Sequence, residues 1–519
     1  MKIYKFIIGI ATLASLSLTS CNDWFDVTSS NEIREKDHYS SDNGFKQSLI
    51  GCYLKMGESG LYGKNLSWFM PDYIANQTRL VPNGSANEAL GFQVHNYRAT
   101  QTRETCDAIW SSAYNVIVNA NEALQNMEGK ESSMNEINYH VIKGELLAVR
   151  ALMHFDLLRL YGYGNWAARK AALDAKATIP YVTTVDKNMT PQATGAEVFA
   201  GLVSDLTQSI DLLKDYDPAC GVHDKDFYTD VNSDGFYNRR NTRLNYYAVE
   251  ALLAQVYMWE GSADSRQKAL ALCNDIIGKL GGGRTIIWKS DRGGSDNTFV
   301  VSLSTASTLS AATSSLIGEA LFAENVNNLS KLLTNYIRPS YADVDYNAIY
   351  LTESQMKDIY DDPSTPDDES IVDVRATKLL SVNMESAVVG YVPVKFYQDH
   401  FSSSSAYYYG DKIPVIRLPE VYLMAAECLA AQGNVEEAEK LVNHIREARG
   451  LYTPLSGLTA EQMQAEIGKE YRKEFLGEGQ ILYYYKRTGA VSIPNFPDMT
   501  DKDYLLPYPD IETASGRVQ

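Results

Sequence analysis

RLPEVYLMAAECLAAQGNVEEAEKLVNHIREARG, from Arg417 to Gly450, contains two amphipathic helices and the break between them. Leu418, Val421, Tyr422, Ala425, Cys428 and Leu429 recur at spacings of three and four, which places them on one helical face. Gly433-Asn434 interrupts the stripe. Asn434 is the expected cap of the second helix, with Glu437 three residues on as its capping-box partner. Val435, Ala438, Leu441, Val442 and Ile445 form the second stripe, Arg446 and Arg449 lie near its negative end, and Gly450 can stop it. Tyr422, Ala426, Leu429, Ala438 and Val442 fit the spacing of a tetratricopeptide repeat. Any antiparallel helix pair gives a similar pattern, so the pair alone establishes a helical hairpin.

The same periodicity recurs upstream. Leu146, Leu147, Arg150, Ala151, His154, Leu157, Leu158 and Tyr161 form a stripe that Gly162 ends. Arg243–Gly261 is apolar around much of its circumference and reads as a buried helix, with Ala269–Ile277 as a shorter partner. Residues 62–105 and 281–413 differ. They are rich in Gly, Ser, Asn, Asp and Tyr, with short candidate strands at Phe299–Leu303 and Val388–Phe396. Loops this long in a helical protein usually carry function. The expected architecture is therefore mainly α, a scaffold of tetratricopeptide-like helix pairs carrying an irregular, loop-rich lobe.

At the N-terminus, Lys2 and Lys5 precede an apolar run from Phe6 to Leu18, too short to span a bilayer, and Ser20-Cys21 follows. This is the pattern of a lipoprotein signal, with acylation at Cys21. Each buried acyl methylene contributes roughly 0.8 kcal/mol of membrane affinity. The chain divides into a signal peptide (1–20), an extended polar leader (21–42), an N-terminal helical region with a loop lobe (43–280), a loop-rich lobe (281–413) and a C-terminal helical region (414–519). Removal of residues 1–20, which hold Lys2, Lys5 and no acid, takes the formal charge from -18 to -20. An acidic body repels phosphates, which argues against nucleic acid as a partner. Cys52, Cys106, Cys220, Cys273 and Cys428 form no CxxC pair, and Cys273 and Cys428 sit among apolar helical residues.

Several segments in order resemble the SusD/RagB nutrient-uptake lipoproteins of the Bacteroidetes outer membrane. They are Cys21–Asp26, Gly144–Gly162, Ile179–Thr183, Arg243–Glu260, Glu319–Phe322, Arg417–Glu427, Asn443–Gly450, Tyr471–Gln480 and Tyr504–Pro509. Two features depart from the family pattern. The signature ending reads Gly479-Gln480-Ile481-Leu482-Tyr483-Tyr484-Tyr485-Lys486-Arg487, and Ile511–Gln519 lacks the proline-containing tail. The resemblance implies a divergent branch with four tetratricopeptide-like helix pairs. It also implies a ligand-binding lobe and a partner, a TonB-dependent outer-membrane transporter of the SusC type, to which captured oligosaccharide is delivered. Peptide is the alternative ligand. A surface enzyme degrading polysaccharide is the alternative class, although the chain carries no GxSxG, HExxH or phosphate loop.

Flat sugar faces stack on aromatic rings while polar side chains take the hydroxyls. On that basis Trp68, Tyr73, Arg79, Asn87 and Tyr97 are candidates in the first lobe. Trp288, Lys289, Asp291 and Arg292 are candidates in the second, and Tyr407-Tyr408-Tyr409 is an alternative. Asp230, Asn232 and Asp234 before Gly235 read as the start of a calcium loop, although position twelve is Asn241 rather than glutamate; a solvated turn is the alternative. The lone His154 on a helical stripe reads as core or capping.

Overall fold

The computed structural model describes residues 35–80, 87–333, 336–337, 349–360, 373–383, 390–398 and 408–519. Residues 1–34, including Cys21 and the signal, lie outside the described residues, as does Tyr407. Ten described helices have nine or more residues. They are α1 (Asp42–Met56), α2 (Thr100–Asn126), α3 (Glu136–Tyr161), α4 (Gly195–Leu213), α5 (Tyr246–Glu260), α6 (Ala263–Leu280), α7 (Leu418–Ala431), α8 (Val435–Ala448), α9 (Ala460–Phe475) and α10 (Gln480–Thr488). Each packs on the next in sequence from α1 through α8, with α7 also against α9 and α9 against α10. That succession is the tetratricopeptide-like array expected from the helical pattern. None of the described helices is long and apolar enough to cross a membrane.

α3 is the central member, with twenty-three of its twenty-six residues buried. It begins where Asn135 Oδ1 accepts the Ile137 and Asn138 amides, and it ends at Gly162. Gly144 is required by close approach, since a Cβ there would lie 2.8 Å from Cγ of Leu213 on α4. The polar residues of α3 are matched inside the array. Glu145 accepts from Arg240 (2.6 Å) and the Tyr53 hydroxyl (2.6 Å), and Arg150 donates to Asp205 at 2.6 and 2.8 Å. His154 accepts the Val182 amide on Nε2 at 2.9 Å, so its proton sits on Nδ1 and is donated to the Arg150 carbonyl at 2.8 Å. Burial pushes its pKa down to about 3, and the ring is neutral core.

The strands are short antiparallel pairs. β2 (Ile286–Lys289) pairs β3 (Asp296–Phe299), and the buried β4 (Ala320–Asn325) pairs β8 (Lys412–Arg417), which runs directly into α7. β1 (Arg79–Leu80) pairs β5 (Ile349–Tyr350), and β6 (Leu380–Asn383) pairs β7 (Gly390–Pro393). A bridge between Leu351 and Tyr391 joins the last two pairs.

Four local expectations are corrected. The leader is not extended to residue 42, because Glu35–His38 is helical. The candidate strand at Phe299–Leu303 lies earlier, at Asp296–Phe299, and the one at Val388–Phe396, whose first two residues lie outside the described residues, ends at Pro393. Asn434 makes no side-chain cap; Gly433 in the left-handed region lets the Asn434 amide reach the Leu429 carbonyl at 2.9 Å, and Glu437 pairs with Lys440 instead. Arg446 and Arg449 do lie at the end of α8, in its last turn and at its cap. Both are buried and reach α9. Gly450 does stop α8, at φ +87°.

Candidate functional site

The aromatic residues expected to meet ligand are largely core. Residues 62–78 form a buried layer rather than a surface loop. Trp68 is 1 % exposed, donates Nε1–H to the Gly63 carbonyl at 3.1 Å and packs on Phe69 and Tyr336. Tyr73 is fully buried edge-on to Phe69, and the hydroxyl of buried Tyr97 donates to the Asp503 carbonyl. Trp288 sits on β2, where Ile286 and Trp288 point inward while Ile287 and Lys289 point outward. Strand alternation therefore hides the tryptophan. Loop composition fails as a guide here because these segments supply their own apolar packing.

The two basic candidates of the second lobe each pair with an aspartate outside that group. Lys289 meets Asp296 across the hairpin at 2.7 Å, and half-buried Asp291 lies in its turn. Exposed Arg292 grips Asp230 through two hydrogen bonds of 2.9 and 3.1 Å. That contact bears on calcium. The Asp230 carboxylate is taken by Arg292 and that of Asp234 by Lys46 at 2.8 Å, while Asn232 is buried with its Oδ1 on the Tyr237 amide at 2.8 Å. The three oxygens face separate partners and do not converge as a calcium loop requires. Among the described residues no group of three or more His, Cys, Asp or Glu side chains is arranged to hold a metal ion.

Arg79, like Arg292 and Tyr408, is a candidate that stands at the surface. It opens β1 and is exposed. Its register partner on β5 is half-buried Tyr350, which puts both side chains on one face of the pair. Tyr350 lies over Gly390 of β7, where an added Cβ would sit 2.8 Å from the ring. Arg79 Nη2 donates to Oδ1 of exposed Asn495 at 3.4 Å. Asn495 occupies a turn closed by Ile493 and Phe496, with φ +66°. Asn87 begins a nearby short helix, Asn87–Gln93, and the amide of Gln93 holds the Thr78 carbonyl at 3.0 Å. Tyr350 and Asn495 were not legible as partners of Arg79, since about 270 and 416 residues of chain separate them from it.

A buried ionic network ties the second lobe to the helical array. Arg375 donates to Asp373, Glu470 and Glu474; Arg417 to Glu319, Glu474 and Glu478; Arg449 to Glu319 and Glu474. Lys395 donates to Glu478 at 2.6 Å and to the Glu474 carbonyl at 2.7 Å. Burial alone would raise the Glu474 pKa, but the guanidinium groups of Arg449, Arg417 and Arg375 outweigh it and hold the carboxyl well below the usual range. These carboxylates are saturated by cations and tie residues 319, 373–375 and 395 to α7, α8 and α9. Beneath Arg79, Gln77 accepts from Arg472 at 3.1 Å, and Arg472 pairs with Asp358 at 2.7 Å.

A family model described as the SusD family matches residues 346–510. A second, SusD-like and described as starch-binding, associating with outer membrane, matches residues 23–219. A SusD-like protein of Formosa agariphila is 25 % identical over 171 residues, which is 31 % of this chain and 31 % of that one, so the match spans under a third of the relative. A solved SusD-like carbohydrate-binding protein of Bacteroides vulgatus is 19 % identical, with 92 % of this chain and 96 % of that one covered at a TM-score of 0.66. A laminarin-binding SusD-like protein is also 19 % identical, with 92 % and 98 % covered at 0.61. At these identities the structures speak for the fold, while the two family models account for the helical regions at both ends: the chain belongs to the SusD/RagB family.

Proposed function

We propose that this protein is a non-enzymatic, surface-exposed binding lipoprotein. It captures an oligosaccharide on the face formed by Arg79, Tyr350 and Asn495 and delivers it to a TonB-dependent outer-membrane transporter. The observation that carries the reading is the pairing of a half-buried aromatic ring with an exposed guanidinium and carboxamide. A ring supplies the flat apolar surface a pyranose stacks on, and the two polar groups take hydroxyls. The starch-binding description of the N-terminal family model and the laminarin-binding relative support the ligand class. Acylation at Cys21 would anchor the body, and the rigid helical array would seat on the transporter.

Calorimetric titration with a panel of oligosaccharides and peptides, with reducing ends followed in the same samples, tests the proposal. Saccharide binding without new reducing ends is expected. Peptide binding alone, or release of new reducing ends, would overturn it. Co-purification of a barrel transporter from detergent-solubilised membranes tests delivery, and loss of membrane association in Cys21→Ala tests the anchor.

A further inference from the structure

Arg79 lacks the carboxylate partner that many of the described arginines have. Arg150, Arg159, Arg169, Arg292, Arg472 and Arg487 each pair with a carboxylate. Among the described residues, the partner of Arg79 is the neutral amide oxygen of Asn495, at a long 3.4 Å. Among the described residues its other four N–H groups make no hydrogen bond. Asn495 turns its oxygen toward Arg79, so its NH2 group is a further donor on the same face. With Tyr350 opposite, the face combines one stacking ring with the donors of Arg79 and Asn495.

From this we infer that the face selects an anionic saccharide, a uronate-bearing oligosaccharide, with the sugar carboxylate forked on Arg79 and a ring stacked on Tyr350. The inference rests on the oligosaccharide reading and adds the charge of the ligand. A planar guanidinium matches a carboxylate through two parallel N–H···O bonds, whereas a hydroxyl takes a single weaker one. The formal charge of -18 means the overall field repels such a ligand, so selection acts at contact range.

The test is calorimetric titration of the full chain with tetramers of galacturonate, mannuronate and guluronate, their methyl esters, sulfated galactan tetramers, and neutral laminaritetraose and maltotetraose. A uronate tetramer should bind at least tenfold more tightly than its methyl ester. Arg79→Gln should bring that ratio close to one, weakening the acid at least tenfold more than the ester. Sulfated tetramers gripped more tightly than every uronate would overturn the carboxylate assignment. Neutral tetramers and esters bound as well as the acids would overturn the inference and leave oligosaccharide capture standing. Failure of every saccharide would remove both.

Discussion

Arg417 and Glu474 meet at 2.8 Å in the interior, each side chain about 1 % exposed. Arg417 is the last residue of β8, at the entrance to α7, and Glu474 is the penultimate residue of α9. The contact therefore locks a strand of the lobe to the helical array. Removing one partner of a buried pair leaves the other desolvated and unpaired, which costs about 3–5 kcal/mol. Glu474→Gln should lower unfolding stability by that amount in chemical denaturation. Arg292→Ala, which breaks an exposed pair with Asp230, should leave the midpoint unchanged.

Trp68 and Trp288 are structural. Trp68→Ala should destabilise the protein by about 3–5 kcal/mol, because it empties a packed site. Saccharide affinity measured well below the melting temperature should stay within about twofold of wild type. A folded Trp68→Ala variant with tenfold weaker binding would return that residue to the site.

His154 sets part of the acid sensitivity. Its folded pKa is held near 3 by burial, against 6.5 for an exposed histidine. The unfolded chain therefore binds a proton between pH 6.5 and 3 that the folded protein refuses, and stability falls as pH falls through that window. At pH 5 the loss from this group is about 2 kcal/mol. Glu474 acts at lower pH, since its depressed carboxyl contributes stability that is present above pH 4.5 and lost as acid protonates it. His154→Gln should flatten the stability–pH curve between 6.5 and 5 by about one proton; an unchanged slope would show that the ring titrates normally.

Calcium should do nothing measurable at the Asp230–Gly235 turn. Millimolar calcium or a chelator is expected to leave the melting temperature unchanged, because Arg292 and Lys46 occupy the two carboxylates. A calcium-dependent rise that disappears in Asp234→Asn would contradict this.

The helical half of the fold was legible because its signals are local. Gly162, Gly261 and Gly450 end α3, α5 and α8 where the stripes stop, and the stripes of α7 and α8 are buried as their spacing implies. The site was less legible because it depends on which face of a strand or turn meets solvent. Trp288 and Lys289 are neighbours in sequence, yet the pleat buries one and turns the other, half-buried, outward. Arg79 could be picked as polar and in a lobe, but its register with Tyr350 depends on a long-range strand pairing that no local spacing encodes. Likewise, Arg449 was legible as a helix-end charge, but its contact with Glu474 of another helix, at 2.8 Å, was not.

The central claim is that saccharide is held on the Arg79–Tyr350 face. Its most direct measurement is the affinity of Tyr350→Ala for whichever oligosaccharide the wild type binds most tightly, by calorimetry, with the melting temperature as control. Loss of the stacking ring should weaken binding at least fivefold, about 1 kcal/mol, with little change in melting temperature. Wild-type affinity in a folded Tyr350→Ala protein would place the ligand elsewhere.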